Sequence, residues 1–181
     1  MVRYKEETYN SYVAEYNSDI YLFDKSKIYV AGKKRYEICD LLHKDRELIH
    51  VKVLKNGTNS LSHLFVQSRF YTDAFVKDVD TRKSMIEFIK NNDNSENEKK
   101  DKNVFLSIIK EERSELQEST FSVLLCILTY TKDKNIDDFP FMAKYELVNT
   151  HKYLLNERGI ELAYAIRRVN KKVTSAFKAD A

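Results

Sequence analysis

The chain has 181 residues, 43% of them apolar and 33% charged, which suits one domain with a wet surface and enough length to bury a core. A formal net charge of +3 is too small to argue for a nucleic-acid partner by itself, so local clusters have to make that case. No apolar run approaches the roughly 18 residues of a bilayer span and no signal peptide opens the chain, so the expectation is a cytoplasmic protein with no membrane partner.

Residues 5–17 read as a helix, with Tyr9, Tyr12, Val13 and Tyr16 at three- and four-residue spacing. A hairpin is predicted next, Ile20–Phe23 with Lys27–Ala31, turned at Asp24-Lys25-Ser26. A second hairpin covers Glu37–Leu42 and Leu48–Val53, turned at Lys44-Asp45-Arg46. The loop Lys55–Asn59 carries strong turn chemistry, and Asn59 or Ser60 is placed to cap a helix over Leu61–Phe75. Another helix is expected over Asp80–Lys90.

The stretch Asn91–Asn103 contains no apolar residue and reads as a flexible, solvated loop, the natural place for proteolysis within a single domain spanning 1–181. A charged helix over Val104–Gln117 and a buried strand over Phe121–Thr129 follow. A helix from about Ala143 to Glu157, stopped by Gly159, leads into a last strand over Ile160–Val169. This order predicts a mixed α/β (α+β) sheet with helices on both faces. Cys39 and Cys126 sit in apolar runs without CxxC spacing and are expected to be buried free thiols. With three Gly, one Pro and an abrupt helical start, the chain is expected to be one domain of a longer protein or a shortened relative of one.

The second hairpin carries the chemistry. Its register sets Asp40 opposite His50 and Cys39 opposite Val51, so that Cys39, Leu41, Ile49, Val51 and Val53 cover an apolar face. Asp40, His50 and Lys52 then share the other. A carboxylate ten residues before His50-Val51-Lys52 resembles the PD-(D/E)xK nuclease hairpin, which implies a restriction-endonuclease-like core. In that reading Asp40, His50 and Asp24 hold Mg²⁺ or Mn²⁺, and Lys52 orients the attacking water or offsets phosphate charge. Glu15 is a further candidate carboxylate. Gln67-x-x-x-Tyr71 resembles the Gln-x-x-x-Tyr element of RecB-like nucleases.

His50 stands where the nuclease pattern has an acid, which shifts metal preference toward Mn²⁺ or Zn²⁺ or disables the site. Glu37, three residues from Asp40, falls on the opposite face of an undistorted strand and does not replace the missing acid without a bulge. Two other chemistries compete. His50 and His63 with Lys52 make a metal-independent ribonuclease, with Gln67 one turn from His63. The basic clusters Lys33-Lys34-Arg35 and Arg167-Arg168, continued by Lys171-Lys172, together with Tyr71, make a non-catalytic nucleic-acid-binding surface. A protein-interaction module, with a partner protein or as a homodimer, is the remaining class. His43 and His151 receive no role.

The segments Glu37–Leu42, Ile49–Lys52 and Ser60–Gln67 resemble an uncharacterised, sporadically distributed bacterial family with an E-x-CDLL, IHVK, SLSHLF-x-Q signature. Its C-terminal module is matched by Phe139–Lys144, the helix after it and the strand ending Arg167-Arg168-Val169. The resemblance spans roughly 15–75 and 120–169. It implies that His50 is a family feature, that His63 and Gln67 belong with Asp40 and Lys52, and that the setting is phage defence or a mobile element. It also implies that a long N-terminal portion found in longer members is missing from this chain.

Overall fold

A computed structural model describes residues 5–30, 33–54, 59–92, 95–131 and 134–169. A five-stranded sheet runs in the order β1 (Ile20–Leu22), β4 (Leu41–His43), β5 (Glu47–Val53), β6 (Ser122–Thr129), β7 (Glu161–Arg168). The first three are an antiparallel meander, and β6 and β7 are parallel to β5. Parallel neighbours need crossovers, which are helical here. Helices α2 (Asn59–Lys77), α3 (Val79–Asn91) and α4 (Lys102–Ile108) separate β5 from β6, and α5 (Phe141–Arg158) separates β6 from β7. The remaining helix, α1 (Glu6–Tyr16), precedes the sheet, and β2 (Ile28–Val30) with β3 (Lys33–Tyr36) forms a separate ribbon.

The mixed α/β class expected from the sequence therefore holds, and each sheet face has its own core. Leu42, Leu48, Val123, Leu125 and Ile127 meet Leu61, Leu64 and Phe65 of α2 and Leu147 and Leu154 of α5. On the other face Leu41, Ile49, Val51, Val53, Cys126 and Leu128 meet Ala14 of α1. Burial on both faces explains why β6 reads as one unbroken apolar run. Cys39 and Cys126 are buried and free.

The first predicted hairpin does not form. Its strands part company: β1 pairs with β4, and β2 pairs with β3. The chain leaves β1 at Phe23 and Asp24, whose N–H groups both donate to the Asp40 carbonyl at 2.9 Å, and Lys25 takes a left-handed φ of 62°. The second hairpin has the predicted register, with Leu41 opposite Ile49 and His43 opposite Glu47. Its first strand is shorter than expected, because residues 37–40 bend away. Cys39 consequently joins the core of Leu42 and Leu48 rather than that of Leu41.

Two further expectations fail. The helix over Val104–Gln117 ends at Ile108, with single 3₁₀ turns at Arg113–Glu115 and Glu118–Thr120. The polar stretch 91–103 is also not simply a solvated loop over its described part. Asn97 is fully buried, its amide taking the Leu22 N–H at 2.9 Å and donating to the Leu22 carbonyl at 3.0 Å. A side-chain amide thus covers the outer edge of β1 as a neighbouring strand would. Lys100, also buried, donates to the Ala14 and Asn17 carbonyls at the end of α1.

Gly159 ends α5 as expected, at φ 65° with its N–H on the Leu155 carbonyl. Arg82, 1% exposed near the start of α3, donates to the Phe75 and Val76 carbonyls in the last turn of α2 at 2.7 Å each, and to the Glu111 carbonyl at 3.0 Å. Removing it leaves two buried acceptors, the Phe75 and Val76 carbonyls, unmatched. Arg82→Met is expected to destabilise the fold by about 3 kcal/mol, read as a lower urea midpoint at unchanged slope.

Candidate active site

The site arises where β4 stops. Beyond Ile49 the strand β5 has β6 on one side and, among the described residues, no strand on the other, so the N–H groups of Val51 and Val53 face outward. Two carboxylates take the place of the absent strand. Asp40 Oδ2 accepts from Val51 N at 2.6 Å, and Glu6 Oε1 accepts from Val53 N at 3.0 Å. The other Glu6 oxygen pairs with Lys52 Nζ at 3.1 Å. The first turn of α1 is a favourable place for an acid, since helix N-termini carry partial positive charge.

A cleft of about 750 Å³ opens at this edge between α1 and α2. Asp24, Glu37 and Asp40 meet in its wall, with one oxygen from each within 4.8 Å of the others. Asn10, fully buried on α1, donates to Asp24 Oδ2 at 3.2 Å and more weakly to Asp40 Oδ1 at 3.5 Å, while its own Oδ1 has no partner among the described residues. Glu37 Oε1 accepts from Lys25 N at 2.9 Å. The expectation that Glu37 stays off this face is overturned, because the alternation rule applies only to strands and residues 37–40 are bent.

Crowded acids resist ionisation. Burial, aided by the charges of Asp24, Glu37 and Glu6, raises the Asp40 carboxyl to about 7. Burial likewise raises Asp24 and Glu37, the latter also repelled by Asp24. His50 is 4% exposed, and burial lowers its imidazole to about 4, so it is neutral at ordinary pH. Its Nε2 is buried with no partner among the described residues.

Of the residues singled out in the sequence, Asp24, Asp40, His50, Lys52, Gln67 and Tyr71 all line the cleft. His50 lies outside the carboxylate group, so the oxygens that converge with Asp40 come from Asp24 and Glu37. His63 is exposed on α2 and Glu15 is exposed on α1, and neither lines the cleft. Arg167 and Arg168 are exposed on β7. The side chains of Lys33, Lys34 and Arg35 fall outside the described residues, as do Lys171, Lys172 and the turn 55–58. Sequence reasoning missed Glu6 and Asn10. Nothing in local spacing ties α1 to the edge of β5, and the acid in its first turn was the one available signal.

These features define a mixed α/β protein with an acidic cleft at the open edge of its central strand. The chain belongs to DUF6119, a family of unknown function, which it matches over residues 2–169. No curated protein and no solved structure matches it. No described helix is long and apolar enough to cross a membrane.

Proposed function

We propose that the chain is a metal-dependent phosphodiester hydrolase acting on nucleic acid, with Asp24, Glu37 and Asp40 holding a divalent cation. The convergence of those three carboxylates beside Lys52 is the observation that carries this reading. An all-oxygen donor set suits Mg²⁺ or Mn²⁺, and burial, with repulsion by neighbouring acids second to it, raises all three carboxyls, a cost of ionisation that a cation offsets. The Asn10 oxygen, without a partner among the described residues, lies beside two of them. Such a cation, when bound, polarises the phosphoryl oxygen and lowers the pKa of water.

The chain's own groups divide the remaining work. Lys52, fixed by Glu6, supplies positive charge where the phosphate gains negative charge. Gln67 and Tyr71 present polar groups from α2 along the cleft wall, in reach of a backbone or base. The neutral His50 contributes a hydrogen-bonding edge rather than a proton at ordinary pH, which weakens the metal-independent ribonuclease reading. The meander β1-β4-β5, followed by α2 and the parallel β6, supports a restriction-endonuclease-like core with Asp40 before its second strand and Lys52 on its third.

One observation favours a non-catalytic binding module instead: Asp40 and Glu6 each use an oxygen to complete the edge of β5. The test is cleavage of labelled single- and double-stranded DNA and RNA in Mg²⁺, Mn²⁺ or EDTA, for wild type, Glu37→Gln and Lys52→Ala. Metal-dependent cutting that falls at least about a hundredfold in both variants supports hydrolysis. Salt-sensitive binding without cutting, unchanged in both, supports the module.

A further inference from the structure

We infer that β7 is a homodimer interface, pairing antiparallel with β7 of a second copy to join two five-stranded sheets into one. The two edges of the sheet differ. That of β1 is closed by the Asn97 amide on Leu22. That of β7 has no described residue hydrogen-bonded along it, although the strand is eight residues long and exposed at half its positions or more. Long open edges are pairing surfaces unless something blunts them, and β7 has no proline or bulge and an apolar middle, Leu162 to Ile166.

The register follows from hydrogen-bond direction and charge. Val169 N donates to the Thr129 carbonyl, so the odd-numbered residues of β7 direct their backbone groups to β6. Those of Leu162, Tyr164, Ile166 and Arg168 then point outward, by the alternation of a parallel ladder. A two-fold axis perpendicular to the sheet requires one residue to face its own copy. Centred on Tyr164, it sets Glu161 opposite Arg167 of the second copy, Leu162 opposite Ile166, Ala163 opposite Ala165 and Tyr164 opposite itself. Opposite charges, apolar pairs and small pairs all match. Centred on Ala165 instead, it sets Leu162 against Arg168 and Ala163 against Arg167, and the match is lost.

The pairing adds about six main-chain hydrogen bonds and two cross-strand ion pairs. It covers Tyr164, 43% exposed in the single chain, and leaves both α5 helices on one side of the joined sheet. Arg167 then serves this interface rather than nucleic acid. The second copy is the occupant that the charges select, because the strand is complementary to its own reverse.

Sedimentation equilibrium over a wide concentration range is expected to give twice the 21.4 kDa of one chain. Glu161→Arg places like charges opposite each other and is expected to halve that mass. Adding Arg167→Glu to it restores the complementarity and is expected to restore the dimer. Tyr164→Pro removes an outward N–H without touching the β6 ladder and is expected to give a monomer with unchanged circular dichroism. Should the proline variant fail to fold, the two exposed charge variants carry the test. A single-chain mass for wild type at every concentration overturns the proposal. So does a dimer that survives Glu161→Arg, or a doubly swapped variant that stays monomeric.

Discussion

Asp40→Asn is expected to raise the stability of the metal-free protein at pH 8 by about 2–4 kcal/mol while lowering cleavage at least about a hundredfold. The amide oxygen still accepts the Val51 N–H that Asp40 Oδ2 now takes, so the edge of β5 stays closed. What disappears is a charge that burial and three neighbouring acids resist strongly enough to raise its pKa to about 7. Opposite effects on stability and activity are the mark of a group held in an unfavourable state for its function. Urea unfolding in EDTA measures the first effect, and the cleavage assay measures the second. Repeating the unfolding with Mn²⁺ separates the carboxylate site from a purely structural role: the ion is expected to stabilise wild type and not the variant. Equal stabilisation of both proteins would remove Asp40 from any metal site.

The second large effect is on pH dependence, where two buried groups of the same cleft act in opposite directions. The folded-state pKa of Asp40 is raised from 3.8 to about 7, so its contribution to stability is full in acid and is lost as pH rises through about 7. Asp24 and Glu37 are raised as well and act with the same sign. His50 is lowered from 6.5 to about 4, so its contribution is full above 6.5 and is lost as pH falls toward 4. Between pH 4 and 6.5 the two slopes oppose each other, and wild type is expected to show a shallow profile that declines only above that range. In Asp40→Asn only Asp24 and Glu37 still oppose the His50 slope, and stability is expected to rise from pH 4 to 6.5, by at most about 3 kcal/mol. Unfolding free energies measured at half-unit pH steps give the difference curve directly. A difference that is flat from pH 4 to 8 would mean that Asp40 ionises like an exposed carboxylate.

The site was legible in the sequence to the extent that it depends on one hairpin. Apolar alternation and the Lys44-Asp45-Arg46 turn gave the register that places Leu41 against Ile49, and with it the proximity of Asp40 to His50 and Lys52. Gln67 and Tyr71 follow from the helix that must come next. Glu37 was misplaced for an identifiable reason. Strand alternation sets its side only while the chain is a strand, and residues 37–40 are not one: the Asp40 carboxylate takes the Val51 N–H that a longer β4 would satisfy through its backbone. His50 belongs to a polar face by strand alternation, yet it is buried.

By itself the sequence determined the local elements: the helices over α2, α3 and α5, the Gly159 stop, the buried β6 and the β4–β5 register. These rest on periodicity, turn chemistry and capping, which act over a few residues. Only the tertiary structure decided that β1 pairs with β4 rather than with β2, that Asn97 closes one sheet edge, and that Glu6 and Asn10 reach the cleft from α1. It also decided that Asp24, Glu37 and Asp40 converge. Each of these is a partner chosen across a long stretch of chain to satisfy a backbone group or polar side chain that burial had separated from water, and no local pattern encodes which distant residue meets that need.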